Sequence, residues 1–424
     1  MVKSLTGKTI SQTCACTLKF IKFLAVVVAM GVLAATWVVP AMANDPGQAL
    51  KSGLGPKDSV LLSEPEGKIL FALNSKKKRV PASTLKVATA LAAIAHLGLD
   101  HRFSTHFYIN SDKDLIIKGF GDPLLVSESV AAIANHLKIR LEKSGVDRIR
   151  HIILDDSYFK RPIRIPGTAT ATRQPYNAPN GALCVNFNTV NFKTENGRIV
   201  SAEPQTPMLP IALSQIRAEK QAAGRILLSD HRGDTLQYAG ELFENFLNRA
   251  GVKTSGSIRE GTVEAEADAR LVYQYDSQLQ LAAIIEGLLK YSNNYVANQL
   301  LLAIGASVHG PPATLEKGVR VLSAYCREEL GIEELQIVEG SGISRQNRIS
   351  AETFARILDA FEPYYDLLPH QQNIYYKTGT LDGIRTRAGY INCQQKGLYR
   401  FVIFLNTPGK ETGPVLDRLH TLVP

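Results

Sequence analysis

Ser83 and Lys86 are the residues of this chain whose types and spacing best suit covalent chemistry. Residues three apart in a helix share a face, so the Lys86 amine can reach the Ser83 hydroxyl. The sequence that follows, LKVATALAAIAHLGL, is rich in Ala and Leu and has no proline or glycine before Gly98, which predicts a buried helix. Burial lowers the pKa of a lysine toward the neutral form that a base needs. The pair therefore predicts a serine nucleophile and its base at a helix N-terminus.

Spacing alone leaves a simpler interpretation open, in which the serine caps the helix and the lysine is solvated. A second polar motif supports the catalytic interpretation. The apolar segment from Gln278 to Gly305 is interrupted by Tyr291-Ser292-Asn293-Asn294-Tyr295. Ser and Asn prefer caps and turns, so we expect a break between two helices that aims Ser292 and Asn294 at a polar group. A plain loop between helices is the alternative.

A third motif, Lys377-Thr378-Gly379-Thr380, precedes two strand-like segments. The β-branched and aromatic content of Tyr399 to Asn406 predicts a buried strand, with Asn373 to Thr378 as its neighbour. Lys377 then lies on a strand, and Gly379 lets a ligand backbone approach closely. The alternative for Lys377 is an ordinary exposed side chain.

The motifs Ser-x-x-Lys, Ser-x-Asn and Lys-Thr-Gly, in this order, resemble the signature of serine penicillin-binding proteins and β-lactamases. With GFGDPLL, LKYSNNYVANQLL and EGSGISRQNRIS, the chain resembles the peptidase S13 family of D-alanyl-D-alanine carboxypeptidases and endopeptidases, the class C low-molecular-mass penicillin-binding proteins. The resemblance implies a mixed α/β fold, in which a transpeptidase-like domain with an antiparallel sheet and helices on both sides carries an inserted α+β domain.

The resemblance also implies roles. Ser83 would attack the carbonyl of the penultimate D-alanine while Lys86 takes its proton, and water would resolve the acyl-enzyme. Ser292 would relay the proton to the leaving amine, and Asn294 would orient Lys86 and bind the substrate amide. Neither metal nor cofactor is required. Peptidoglycan stem peptides would be substrates, with β-lactams as inhibitors and no nucleic-acid partner.

The third motif would bind the other end of the substrate. Lys377 and Thr378 would hold the terminal carboxylate, and Lys377 would also keep the catalytic lysine neutral by like-charge repulsion. The backbone N–H groups of Ser83 and Thr380 would form the oxyanion hole beside Gly379.

Three further residues are candidates for recognising the substrate side chain. Asp382 stands where some relatives carry glutamine, and Arg345 is the nearest candidate cationic partner. Asp155, in LDDSYF, is placed so that it could face the cleft, although an ordinary turn aspartate is the alternative.

Residues 1–43 have the pattern of a secretory signal peptide. Lys3, Lys8, Lys19 and Lys22 precede an uncharged run from Phe23 to Val39, which ends at the small-x-small site Ala41-Met42-Ala43. Cleavage there would start the exported, periplasmic protein at Asn44. An uncleaved membrane anchor is the alternative, because the apolar run approaches the shortest spanning length.

Removing this segment would leave 44 basic and 39 acidic residues, so the mature chain would be mildly basic. The run Lys76-Lys77-Lys78-Arg79 is interpreted as a solvated loop rather than a nucleic-acid site. Cys184, Cys326 and Cys393 would remain, so at most one disulfide could form.

The mature length predicts two domains. We expect a penicillin-binding domain formed by residues 44–101 and 262–424, with an accessory domain inserted at 102–261. All three motifs lie outside the insertion, so we expect it to shape access to polymeric substrate without supplying chemistry.

Two other functions remain to be weighed. A β-lactamase shares the three motifs but needs a fast deacylation apparatus, usually a glutamate with a positioned water, and no convincing motif for one is present. A non-enzymatic envelope module that binds peptidoglycan would not need an intact nucleophile, base and proton relay.

Overall fold

The computed structural model describes residues 50–424, except 52, 169–173, 220 and 230–232. The predicted signal peptide and its cleavage site therefore lie outside the described residues. Residues from Leu50 to Pro424 form one compact unit. Within the described part of the chain, no helix is long and apolar enough to cross a membrane.

The strands are β1 Asp58–Ser63, β2 Ile69–Leu73, β3 Ser104–Ile109, β4 Leu115–Gly119, β5 Arg148–Ile149, β6 Ile152–Asp155, β7 Thr189–Glu195, β8 Arg198–Ser201, β9 Ala223–Leu227, β10 Lys253–Thr254, β11 Ile258–Glu260, β12 Arg270–Asp276, β13 His370–Gln371, β14 Ile374–Leu381, β15 Ile384–Cys393 and β16 Gly397–Leu405. The helices are α1 Lys86–Leu97, α2 Ser127–Lys143, α3 Pro210–Glu219, α4 Asp234–Ala250, α5 Leu281–Tyr291, α6 Asn294–His309, α7 Leu315–Glu328, α8 Ala351–Phe361 and α9 Thr412–His420.

The central sheet has six antiparallel strands in the order β13-β14-β15-β16-β1-β2. Alternate residues of each strand enter different cores because successive side chains point to opposite faces. Leu61 of β1 packs with α1, α5, α6, α7 and α8, whereas Val60 and Leu62 pack with α9 on the other face. The expected antiparallel sheet with helices on both sides is confirmed.

The accessory region has its own core, built from β3, β4, α2 and α4. Its main sheet has the order β11-β6-β4-β3-β12 and mixes parallel with antiparallel pairs. A separate antiparallel sheet has the order β8-β7-β9. These sheets and helices agree with an inserted α+β unit.

Two sequence expectations need correction. Strand β12 pairs with β3 from Arg270 to Asp276, so the accessory sheet continues past the boundary predicted at residue 261. Strand β15 lies between β14 and β16, so the Asn373 to Thr378 segment is not the direct neighbour of the last strand. Strand β15 alternates buried and partly exposed residues from Ile384 to Ala388, so the signal of a strand was present in the sequence but was not used.

Candidate active site

Ser83 lies in a 3-10 turn, Ala82–Leu85, that leads into α1, so the serine precedes the α-helix, which begins at Lys86. The turn is conformationally unusual because Ala82, which is fully buried, has a φ of 48°. A non-glycine residue in this region carries backbone strain that surrounding structure must hold. The hydroxyls of Thr84 and Thr386 both donate to the Pro81 carbonyl, at 2.6 and 2.7 Å.

Two glycines allow other segments to approach this turn. A Cβ on Gly379 would lie 2.7 Å from the Ser83 nitrogen, and a Cβ on Gly342, whose φ is +82°, would lie 1.9 Å from the Ala82 carbonyl oxygen. A side chain at either position would push the segment away from the serine. The glycine of the third motif therefore admits the serine turn itself, rather than only a ligand backbone.

Lys86 is completely buried, and its Nζ lies within hydrogen-bond distance of three oxygens. They are Ser83 Oγ at 2.9 Å, Asn294 Oδ1 at 2.7 Å and the Ser341 carbonyl at 2.7 Å. Burial, followed by the positive charge of Lys377, holds the pKa of Lys86 well below its usual value, while Glu339 acts in the opposite direction. The site thus holds an amine next to the serine and favours its neutral form.

The break predicted in the second motif is present. Helix α5 ends at Tyr291, the following Ser292 adopts the left-handed conformation with a φ of 56°, and α6 begins at Asn294. Asn293 caps α6 by accepting a hydrogen bond from the Val296 N–H at 3.2 Å. The break brings Ser292 and Asn294 to one cleft with Ser83.

Lys377 is on β14 as expected, but it is buried. Burial lowers the pKa of Lys377 to about 8, and its Nζ donates to the Thr378 carbonyl at 2.8 Å. Thr378 and Thr380 are both exposed and, two apart on one strand, share a face. Of these two, Thr380 lines the cleft and Thr378 lies outside its lining.

Sequence reasoning missed a buried carboxylate, that of Glu339, which is fully enclosed. It accepts hydrogen bonds from the N–H and hydroxyl of Ser341 at 2.7 and 2.6 Å, from the Gly342 N–H at 2.7 Å and from Asn347 Nδ2 at 2.7 Å. These bonds fix the loop whose Ser341 carbonyl contacts Lys86. The signal in the sequence is an acid followed by small residues, EGSGIS, whose N–H groups can converge on an anion.

Asn298 links this loop to the second motif. Its Oδ1 accepts from the Gly340 N–H at 2.8 Å, and its Nδ2 donates to the Asn294 carbonyl and to Glu339 Oε2, both at 3.3 Å. Asn298 lies one helical turn after Asn294, so the same face of α6 serves both contacts.

The cleft has a volume of about 740 Å³. Besides the motif residues, Arg345 and Asp382 line it, and Arg345 Nη2 donates to the Asp382 carbonyl oxygen at 2.5 Å. The contact is therefore to the main chain of Asp382, not to its carboxylate.

The accessory region also reaches the cleft. Gly167, Tyr176 and Asn177 line it, and Asn294 Nδ2 donates to the Tyr176 carbonyl at 3.3 Å. Asn180 anchors this segment on α6, because its Nδ2 donates to the Tyr295 carbonyl at 3.0 Å and to Gln299 Oε1 at 2.8 Å. The insertion therefore forms part of the cleft wall, and its role in access without chemistry stays a prediction.

Asp155 is not part of the cleft. It is fully buried at the end of β6, where its carboxylate accepts from the Ser157 and Val263 N–H groups at 2.9 and 2.8 Å and lies 3.3 Å from Lys118 Nζ. These partners occupy both oxygens, so the turn interpretation holds and the substrate-binding interpretation is withdrawn.

Among the described residues, no group of three or more His, Cys, Asp or Glu side chains is arranged to hold a metal ion. Cys184, Cys326 and Cys393 are not joined by a disulfide bond in the structure.

The fold is that of penicillin-binding proteins and β-lactamase-like peptidases. A profile of the D-Ala-D-Ala carboxypeptidase 3 (S13) family matches residues 59–228 and 228–369, which include Ser83 and Ser292. The chain belongs to the peptidase S13 family, and the resemblance drawn from its motifs is confirmed.

Two characterised relatives are similar over most of the chain. A D-alanyl-D-alanine carboxypeptidase from Actinomadura sp. (strain R39) is 28% identical over 347 residues, which are 70% of this chain and 63% of that enzyme's length. The D-alanyl-D-alanine carboxypeptidase DacB of Haemophilus influenzae is 22% identical over 412 residues, with 82% of this chain and 84% of that protein covered.

Solved structures support the fold. Penicillin-binding protein 4 from Haemophilus influenzae aligns with a TM-score of 0.73 at 19% identity, over 88% of this chain and 97% of that chain. A predatory peptidoglycan endopeptidase from Bdellovibrio bacteriovorus aligns with a TM-score of 0.51 at 16% identity, over 86% and 90% of the two chains.

Proposed function

We propose that this protein is a serine DD-peptidase that hydrolyses D-Ala-D-Ala ends, D-Ala-containing cross-links of peptidoglycan, or both. The observation that carries the proposal is the fully buried Lys86 amine, 2.9 Å from the Ser83 hydroxyl and held by Asn294. The carboxypeptidase names of the two relatives and the family description support the substrate class.

Acylation follows from this geometry. Ser83 Oγ bonds to the carbonyl carbon of the penultimate D-alanine while Lys86 Nζ accepts the hydroxyl proton. The oxyanion receives hydrogen bonds from the backbone N–H groups of Ser83 and Thr380, and each such donor is worth about 10²–10³ in rate. Collapse of the intermediate breaks the C–N bond, and the proton passes from Lys86 through Ser292 to the leaving amine.

Substrate orientation falls to the third motif and the cleft wall. Lys377 binds the terminal carboxylate together with Thr380, which lines the cleft in place of the expected Thr378, and Asn294 binds the substrate amide. Arg345 and Asp382 contact the substrate side chain. Deacylation reverses the proton path, with water as the nucleophile and Lys86 again as the base.

Benzylpenicillin offers a strained amide and a carboxylate to the same groups, so it should acylate Ser83 stoichiometrically and deacylate slowly. A complex of the Haemophilus influenzae penicillin-binding protein 4 with a β-lactam supports this expectation. Tryptic mapping should find the adduct on Ser83. An adduct on another residue, or no adduct with folded protein, would overturn the mechanism.

Mass spectrometry of products from purified muropeptides identifies the reaction. Loss of one D-alanine indicates carboxypeptidase activity, and conversion of a cross-linked dimer into monomers indicates endopeptidase activity. Rapid hydrolysis of benzylpenicillin, with the muropeptides left uncleaved, would instead favour a β-lactamase. Tight binding of muropeptides without any product would favour a non-catalytic peptidoglycan-binding module.

We further propose that the protein acts in the periplasm after cleavage behind Ala43. Trp37 is the only tryptophan in the sequence, so the mature protein should show tyrosine fluorescence without indole emission. An N-terminal sequence that retains Trp37 would indicate a membrane-anchored form facing the periplasm.

A further inference from the structure

A second groove, with a volume of about 830 Å³, opens beside the active-site cleft. Arg345 and Asp382, which are joined by a hydrogen bond, line both, so the groove adjoins the cleft across these two residues. Five cationic side chains line the groove, namely Lys57, Lys78, Arg79, Arg345 and Arg348. Asp382 supplies the one carboxylate among the described lining residues. The ratio of five cationic side chains to one carboxylate in this lining is much higher than the ratio in the chain as a whole, which is only mildly basic.

Neutral partners position two of the guanidinium groups. Arg79 donates through Nε to Ser59 Oγ at 3.0 Å and through Nη2 to the Pro56 carbonyl at 2.6 Å. Arg348 donates to the Asn347 carbonyl at 3.3 Å and to the Arg345 carbonyl. These bonds limit the motion of the side chains and leave their net charges in place. The remaining N–H groups of these guanidinium groups can still donate to a carboxylate.

The lysines of the groove are more exposed. Lys78 Nζ lies 3.3 Å from Glu334, whose side chain is 82% exposed. An exposed pair of this kind contributes little and exchanges readily with another anion. Lys57 is exposed at the same groove.

The run Lys76-Lys77-Lys78-Arg79 is divided by this geometry. Lys78 and Arg79 line the groove, whereas Lys76 and Lys77 are exposed and lie outside its lining. The three lysines are exposed, as expected of a solvated loop, and the last two residues of the run also line the groove. The first two lysines provide charge-matched controls for the last two.

We propose that this basic groove binds carboxylate groups on the peptide arm of the substrate that extends away from Ser83. This inference rests on the proposed peptidase function. A peptide whose scissile bond lies at Ser83 can pass the shared Arg345 and Asp382 boundary and enter the groove without a second binding event. Its carboxylates would offset the mutual repulsion of five neighbouring cations and would steer association.

The test compares two peptides that end in D-Ala-D-Ala, one with free upstream carboxylates and the other with the same carboxylates amidated. Lys57→Glu combined with Lys78→Glu should lower kcat/KM for the free-carboxylate peptide about tenfold, mainly through KM, since charge contacts at a rim act on encounter. The amidated peptide should change less than about twofold, because it lacks the interacting charge. Raising the ionic strength should reduce the difference between the two peptides for the wild-type protein.

Lys76→Glu combined with Lys77→Glu is the control, because it changes the net charge equally outside the groove. An equal loss in this control, an equal loss for the amidated peptide, or no loss in the groove variant would overturn the proposal. Weakened binding of soluble polyphosphate with unchanged peptide cleavage would also overturn it, since the groove would then serve another polyanion. Benzylpenicillin acylation of every variant reports the proposed function separately, and its absence from the wild type would contradict that function instead.

Discussion

Lys86 in the peptidase region and Asp114 in the accessory region are both fully buried ionisable groups. Asp114 lies beside opposite charges, whereas Lys86 lies near a like charge. Asp114 accepts from Arg150 Nε and Nη2 at 2.7 and 2.8 Å and lies 3.1 Å from Arg259 Nη2. Burial by itself would raise the pKa of Asp114, but the hydrogen bonds from Arg150 and from the His151 N–H contribute to lowering it to about 2. Lys86 instead contacts neutral oxygens and is influenced by the like charge of Lys377.

The difference separates a structural buried charge from a reactive one. Opposite charges in contact fix Asp114 as a carboxylate at every ordinary pH, so it ties strands together and cannot exchange protons usefully. Burial against neutral oxygens with a like charge nearby leaves Lys86 ready to act as a base. The negative charge of Glu339, in the neighbouring loop, partly offsets the lowering of the Lys86 pKa. Among the described contacts, Glu339 makes its hydrogen bonds within its own loop and to Asn298, and none to Lys86.

Removal of the amine gives the largest expected effect. Lys86→Ala should reduce acylation by a β-lactam at least about 10³-fold, because water does not replace an oriented base. Ser292→Ala should slow acylation less, since water can partly serve as a relay. Stopped-flow kinetics measure both. The exposed Lys143→Ala, on α2, is the control, and acylation of Lys86→Ala at near wild-type rate would remove Lys86 from the mechanism.

Glu339→Gln should lower the acylation rate by about 10- to 100-fold, because the loop loses charge-assisted hydrogen bonds. The pH profile provides a sharper readout than the rate. Lys86 must be neutral to act, so activity rises as pH passes its pKa. Glu339 raises that pKa, and its neutralisation should therefore move the acidic limb to lower pH.

Lys377→Gln is the opposing variant for this comparison. The positive charge of Lys377 lowers the pKa of Lys86, so its removal should move the acidic limb to higher pH. Shifts in the same direction for Glu339→Gln and Lys377→Gln would show that the two charges do not control the base.

Asn180→Ala tests whether the accessory region contributes to the site. It should lower turnover of peptide substrate about threefold and stability by about 1–2 kcal/mol, because two buried hydrogen bonds to α6 are lost. Thermal unfolding and steady-state kinetics separate the two effects. Substitution of the exposed Asn135 on α2 by Ala serves as the control. Equal turnover and equal stability of the two variants would indicate that the insertion affects access alone.

Asp114→Asn should leave acylation unchanged and lower the free energy of unfolding by about 2 kcal/mol, because a buried charged hydrogen-bond cluster is broken. The folded pKa of Asp114 is depressed from 3.8 to about 2, so its stabilising contribution is complete above about pH 4 and is lost as pH falls toward 2. Urea unfolding between pH 2 and 5 should show this dependence in the wild type and a weaker one in the variant. A slower acylation rate would mean that the two buried charges are coupled.

Local sequence was sufficient for the three motifs and the helix break, because Ser, Asn and Gly carry their conformational preferences wherever they occur. The buried helix after Ser83 followed from its apolar run in the same way. The fold class was also available from the sequence, since the order of the motifs and their flanks resembles one family, and the family match confirms it.

Contacts between residues distant in sequence decided the remainder. Glu339 meets Ser341 locally, but only packing brings that loop to Lys86, 255 residues earlier. The pairing of β12 with β3 extended the accessory sheet, and the Tyr176 carbonyl reached Asn294 across 118 residues. The Asp155 carboxylate accepts hydrogen bonds from the Ser157 and Val263 N–H groups and does not face the cleft. Burial and charge proximity depend on the whole fold, so the sequence could propose Lys86 as the base, and only the tertiary structure shows the burial and the neighbouring charges on which that proposal rests.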